Sequence, residues 1–183
     1  MNRKILKTFT FVMIVVLSLS SISWVSLPGV SGGGTMLNLP DGGGRYDWNS
    51  ISFWGWANGT TSSARGSWIV TFNNTSNDLL DRAKFYSYNV TEINYFDADS
   101  DTCKSAVNVT AYGTLNRESG YYVILRFGDG PYRYGGDTVR VTLYDINDQV
   151  VYDSHGGDFP DESSCVGTAR TGLDYGNIAI KQP

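Results

Sequence analysis

Three aspartates alternate in FDADSDTCK, residues 96–104: Asp97, Asp99 and Asp101, with Cys103 two places on. D-x-D-x-D opens a calcium loop, because a hard cation takes roughly six to eight oxygens and closely spaced carboxylates supply them. The EF-hand match goes no further. Thr102 stands where the sharp-turn glycine belongs, and Asn108 where the bidentate glutamate would be. Cys103 and Cys165 are the two cysteines, and in an exported chain they read as a disulfide. Such a bridge holds its Cα atoms roughly 5.5 Å apart. Asp101 would then approach Asp158, Asp161 and Glu162, with Lys104 the nearby positive charge. The sharper of two readings is a calcium site drawn from Asp97, Asp99, Asp101, Asp158, Asp161 and Glu162, and it is the less favoured one. The alternative is a solvated acidic turn whose Asp side chains cap backbone N–H groups.

Other chemistry finds little footing. His155 is the one histidine, so an imidazole zinc site is disfavoured. DSHGGD sets Ser154 and His155 between two aspartates, but triad members meet through folding rather than adjacency. The glycine clusters lack the G-K-[ST] ending of a phosphate loop, and no G-x-S-x-G elbow occurs. A glycosidase needs only a suitable pair of carboxylates, which 18 acids neither support nor exclude. The expectation is a non-enzymatic protein. Trp54 and Trp56 in FWGWAN share one strand face and would stack on sugars if exposed. With 14% aromatics to bury, core packing is expected for them, as for Trp68.

The elements that position these residues are strands. Aromatic and β-branched runs occur at 50–57, 67–72, 84–96, 106–115, 121–127, 138–146, 149–154 and 177–181. Alternation is clean in 138–145, where Val139, Val141 and Leu143 oppose Arg140, Thr142 and Tyr144. NRESG, GDGPYRYGG and IND supply turns, and NDLLDRAKF is the best helical candidate, short as it is. Strands joined by short turns predict an all-β, antiparallel sandwich, jelly-roll or Ig-like.

Residues 1–31 read as a signal peptide, or alternatively an N-terminal anchor. Arg3, Lys4 and Lys7 precede an apolar run, and small residues favour cleavage near Ser31 or Gly32. Removing the leader leaves about 150 residues, enough for one domain, and makes the formal net charge more negative than −4. Such a surface repels nucleic acid. Sequons at Asn58, Asn73, Asn74, Asn89 and Asn108 fit an extracellular or cell-surface location. Residues 32–45 read as a Gly-rich linker, and 46–183 as the β-domain.

VTAYGTLNRESGYYVILRFGDG, GDTVRVTLYD and DYGNIAI together resemble the post-choice-of-anchor (post-COAP) domains of secreted bacterial and archaeal proteins. INYFDADSD sits where that family carries a strand ending in an acidic turn. The two cysteines and the YDSHGGDFPDESSCVG stretch depart from the pattern. The resemblance implies an exported, non-catalytic β-module and assigns no active residue.

The leading expectation is a structural or adhesive cell-surface domain, acting as a fibre subunit. Between the two GGG hinges, the segment Thr35, Met36, Leu37, Asn38, Leu39 and Pro40 would be donated to a neighbouring copy. A linker or loose edge strand is the plainer reading. The competing function is a secreted carbohydrate-binding module with cell-surface glycans as partners.

Overall fold

The computed structural model describes residues 27–37, 50–73, 79–100, 103–129, 137–154 and 173–183, with backbone alone at 97–100 and 103–104. Alternating apolar and polar residues make nearly every described segment a strand. In chain order these are β1 (Gly29–Leu37), β2 (Ser50–Asn58), β3 (Arg65–Asn73), β4 (Lys84–Ser100) and β5 (Cys103–Leu115). They are followed by β6 (Glu118–Asp129), β7 (Thr138–Tyr144), β8 (Val150–Asp153) and β9 (Tyr175–Lys181). The best helical candidate, NDLLDRAKF, shows no helix among its described residues, 79–85. Leu79–Arg82 is a turn, closed by Ala83 N–H donating to the Leu80 carbonyl at 3.0 Å and followed directly by β4.

The protein is all-β and antiparallel, as expected, but the strands form one sheet where the sequence suggested the two layers of a sandwich. Its order is β8-β7-β6-β5-β4-β3-β2-β1-β9, a hairpin meander with β9 returning to pair with β1. The curl comes from β4. That strand meets β3 only through Lys84–Tyr86 opposite Ile69–Thr71. Register shifts between Ser87 and Asn89 and between Val90 and Glu92 then strengthen its twist. Past the end of the β3–β4 ladder, Trp68 N–H donates instead to Ser87 Oγ at 2.7 Å.

The sheet therefore folds over its own inner face. Trp68 of β3 stacks on Phe127 of β6 at 4.9 Å between ring centroids, and Phe53 of β2 meets the same ring at 5.7 Å. Phe72 of β3 meets Tyr152 of β8 edge-on at 5.4 Å. Val70, Phe85, Val109, Leu125, Val141 and Leu143 complete the fully buried interior. The result is a half-barrel around one core. One ion pair is also buried: Arg140 Nε donates to Asp153 Oδ1 at 2.9 Å, and Nη2 to Oδ2. Both side chains are under a tenth exposed.

The described part of the expected linker, residues 32–37, is strand. Gly29–Leu37 pairs residue by residue with Asn58–Ser50 of β2, and Gly29–Thr35 also pairs with Lys181–Tyr175 of β9. Val30 and Met36 point into the core. The first GGG lies inside this strand, and Thr35, Met36 and Leu37 pair with a strand of their own chain. Glycine allows the close approach of β1 and β9. At Gly176, with φ +122°, a Cβ would run into the Gly33 carbonyl and the Gly34 backbone. Cleavage at Ser31 or Gly32 would also cut inside β1. Asn38, Leu39, Pro40 and the second GGG lie outside the described residues.

Candidate functional site

On β2 the inward residues are Ile51, Phe53, Gly55 and Ala57. The opposite set is Ser50, Ser52, Trp54, Trp56 and Asn58, facing away from the core. Trp54 is 65% and Trp56 42% exposed, whereas Trp68 is fully buried. The expectation that all three belong to the core is thus corrected for Trp54 and Trp56. The signal was available: serines share their parity, and a buried strand face seldom carries alternate serines.

Neighbouring strands frame the two indoles. Across the sheet, Trp54 lies in register with Gly33 on one side and Ile69 on the other. Gly33 is in turn opposite Asn177. Trp56 lies between Ser31 and Ser67. One row further along, Thr35 Oγ1 and Ser52 Oγ share a hydrogen bond of 2.9 Å, and the exposed Tyr175 pairs with Thr35. The surface is flat, aromatic and rimmed by hydroxyls and an amide. Next to Trp56, a groove of about 280 Å³ is lined by Ser31, Asn58 and Lys181 and, from the core side, by Val30, Ala57 and Ile180. That is close to the roughly 300 Å³ at which small-ligand pockets begin.

A second aromatic group crosses the other half of the same outer face. Tyr112, Tyr122 and Tyr144 are cross-strand partners on β5, β6 and β7. Their rings stack at 5.1 and 4.7 Å, the second pair only 3° from parallel. Tyr122 Oη donates to Asp148 Oδ1 at 3.0 Å. Burial, then that hydrogen bond and the Asp148 charge, push the Tyr122 phenol up to about 12. Burial likewise raises Tyr144, with Asp153 adding to the shift and Arg140 opposing it. Sequence reading missed this stack, although Tyr144 shares its parity with Arg140 and Thr142 on the less apolar face of β7.

The acidic turn is placed in outline only. The backbones of Asp97 and Asp99 lie in β4, and Ser100 pairs with Cys103 at the start of β5. Their side chains lie outside the described residues, as do Asp101, Asp158, Asp161, Glu162, His155 and Cys165. The expected bridge and calcium set therefore fall beyond what is described. Ser154 is buried, and its Oγ accepts the Val141 N–H at 3.0 Å, a structural role. Among the described residues, no three His, Cys, Asp or Glu side chains gather into a metal site.

No family model, curated protein sequence or solved structure matches the chain, so the site rests on its own geometry.

Proposed function

We propose that the protein is an exported cell-surface adhesive domain that holds extended polysaccharide on the outer face of β1, β2 and β9. The observation that carries this is the exposure of Trp54 and Trp56, side by side on one face, when the same fold buries Trp68 completely. Two large apolar rings left in water represent a standing cost that a ligand removes. The C–H face of a sugar ring fits an indole, and hydroxyl groups fit the rim of Ser31, Ser52, Ser67, Thr35 and Asn177. The groove beside Trp56 would take a chain end or branch. The resemblance to post-COAP domains implies the same exported, non-catalytic role.

The test is retention of the full chain on an array of neutral and acidic polysaccharides. Binding should appear on at least one polymer and fall at least tenfold in the Trp54→Ala/Trp56→Ala protein. Uniform failure to bind, or binding indifferent to both tryptophans, refutes the reading.

The Cys103–Cys165 bridge and the bound calcium belong to the same extracellular proposal. Non-reducing peptide mapping should link the two cysteines, and chelation should lower the melting temperature. A native protein alkylated at either cysteine would argue against the bridge, as would indifference to chelator against the ion.

A further inference from the structure

Of the five sequons, Asn74 lies outside the described residues, and the fold treats the other four unequally. A glycan attaches through Nδ2, which must face solvent once the protein has folded. Asn58 is half-buried, and its Oδ1 is buried without a hydrogen-bond partner among the described residues. Asn73 is half-buried, with Nδ2 donating to Ser50 Oγ at 3.2 Å. Asn108 sits mid-sheet between Asn94 and Arg126, again with Oδ1 buried and unpartnered among the described residues. Asn89 alone of the four is exposed.

Its surroundings are distinctive. Asn89 follows the β4 bulge, where the register passes from Ser87 opposite Gly113 to Asn89 opposite Tyr112 and leaves Tyr88 unpaired with β5. Tyr88 is 66% and Tyr112 41% exposed, and Tyr112 opens the stack that continues through Tyr122 to Tyr144. Directly opposed residues share a face and lie about 5 Å apart at Cβ. A sugar on Asn89 therefore starts beside the first ring of an aromatic shelf long enough to carry more.

We propose that Asn89 is an N-glycosylation site whose core sugars lie along the Tyr112–Tyr122–Tyr144 stack. In the transfer step, Asn89 Nδ2 attacks C1 of an oligosaccharide carried on a lipid phosphate or pyrophosphate. The new N–C1 bond replaces the C1–O bond, the departing lipid phosphate keeps the electron pair, and the amide proton passes to a base of the transferase. Transfer precedes folding, so the fold decides which sugars it tolerates. One on Asn73 would displace the Nδ2 bond to Ser50 Oγ, and Asn58 and Asn108 are half-buried with Oδ1 turned inward, whereas Asn89 is exposed. The shelf lies on β5, β6 and β7, away from Trp54 and Trp56, so this site shares only export with the polysaccharide reading.

The experiment is secretion of the full chain from a eukaryotic host that glycosylates a sequon-bearing reporter, followed by peptide mapping and thermal melting. The Asn89 peptide should carry a glycan, and the Asn58, Asn73 and Asn108 peptides should not. Enzymatic removal of the glycan should lower the melting temperature by about 2–4 °C. Tyr112→Ala should abolish that difference while leaving occupancy intact. An unmodified Asn89, or a melting temperature unchanged by glycan removal, overturns the proposal. Polysaccharide retention measured on the Asn89→Gln protein separates the two readings, because either can fail alone.

Discussion

Trp54 lies flush against Gly33 across the β1–β2 register: a Cβ on residue 33 would stand 3.0 Å from the indole Cδ1. That contact leaves the ring its space at the sheet surface, and it ties the proposed polysaccharide platform to a glycine in the neighbouring strand. Gly33→Val should therefore displace the indole and weaken polysaccharide retention several-fold with the sheet intact. Circular dichroism alongside the binding assay checks both parts.

The three tryptophans should separate binding from stability. Trp54→Ala and Trp56→Ala remove exposed rings and should change unfolding free energy by no more than about 0.5 kcal/mol. Trp68→Ala empties the core position against Phe127 and should cost about 3–5 kcal/mol. Denaturant melts of the three variants make the comparison. Equal losses at all three positions would contradict the placement of the rings.

Asp153→Ala removes the carboxylate to which the buried Arg140 guanidinium donates through Nε and Nη2, and should cost up to about 3–5 kcal/mol. Replacing both partners with apolar residues, as in Arg140→Met/Asp153→Leu, should recover much of that loss, since no buried charge is then left alone. Chemical denaturation of the single and double variants reads the difference.

Tyr122 supplies a pH prediction. Its phenol is raised from 10.0 to about 12, so the native chain keeps a proton that the unfolded chain has released. The resulting stability is fully present below pH 10 and is lost as pH rises through about 12. Asp148→Asn removes the acceptor and its charge, and asparagine tolerates the φ of 59° at that turn position. Ultraviolet titration, differenced against Tyr122→Phe, should show the phenol moving back toward 10 in the Asp148 variant.

Deleting residues 29–37 tests the role of β1. The deletion removes Val30 and Met36 from the core and unpairs β2 and β9 together. The truncated protein should be largely unfolded at room temperature. A cooperative thermal transition in that protein would instead support a detachable strand.

Much of the strand pattern was legible, because period-2 alternation is what a half-buried sheet requires. The expected run at 50–57 is β2 almost to the residue, and 84–96 and 121–127 lie inside β4 and β6. β1 escaped because Gly32, Gly33 and Gly34 read as flexible by composition. In the fold they are strand: a Cβ on Gly32 or Gly34 would run into a β9 carbonyl oxygen. The single sheet also escaped, as nothing local distinguishes a curled meander from two packed layers; the deciding feature is the bulge pair in β4. At the site, the shared face of Trp54 and Trp56 was legible. The serines of the same parity, Ser50 and Ser52, pointed outward, but the weight of aromatics to bury outvoted them. Direction depends on which parity the rest of the sheet buries.

The pairing of β1 with β9 also sets an order of events in folding. The ladders from β2 to β8 join neighbours in sequence and can close as short hairpins. Gly29, by contrast, waits for Lys181, and Gly34 for Gly176. Until residues 175–181 have been synthesised, one side of β1 is a bare edge beside exposed tryptophans. A chain that crosses a membrane before folding avoids that interval, because both partners arrive unfolded on the far side. Translocation before folding would thus protect the sheet's last-closing seam from pairing with a stranger.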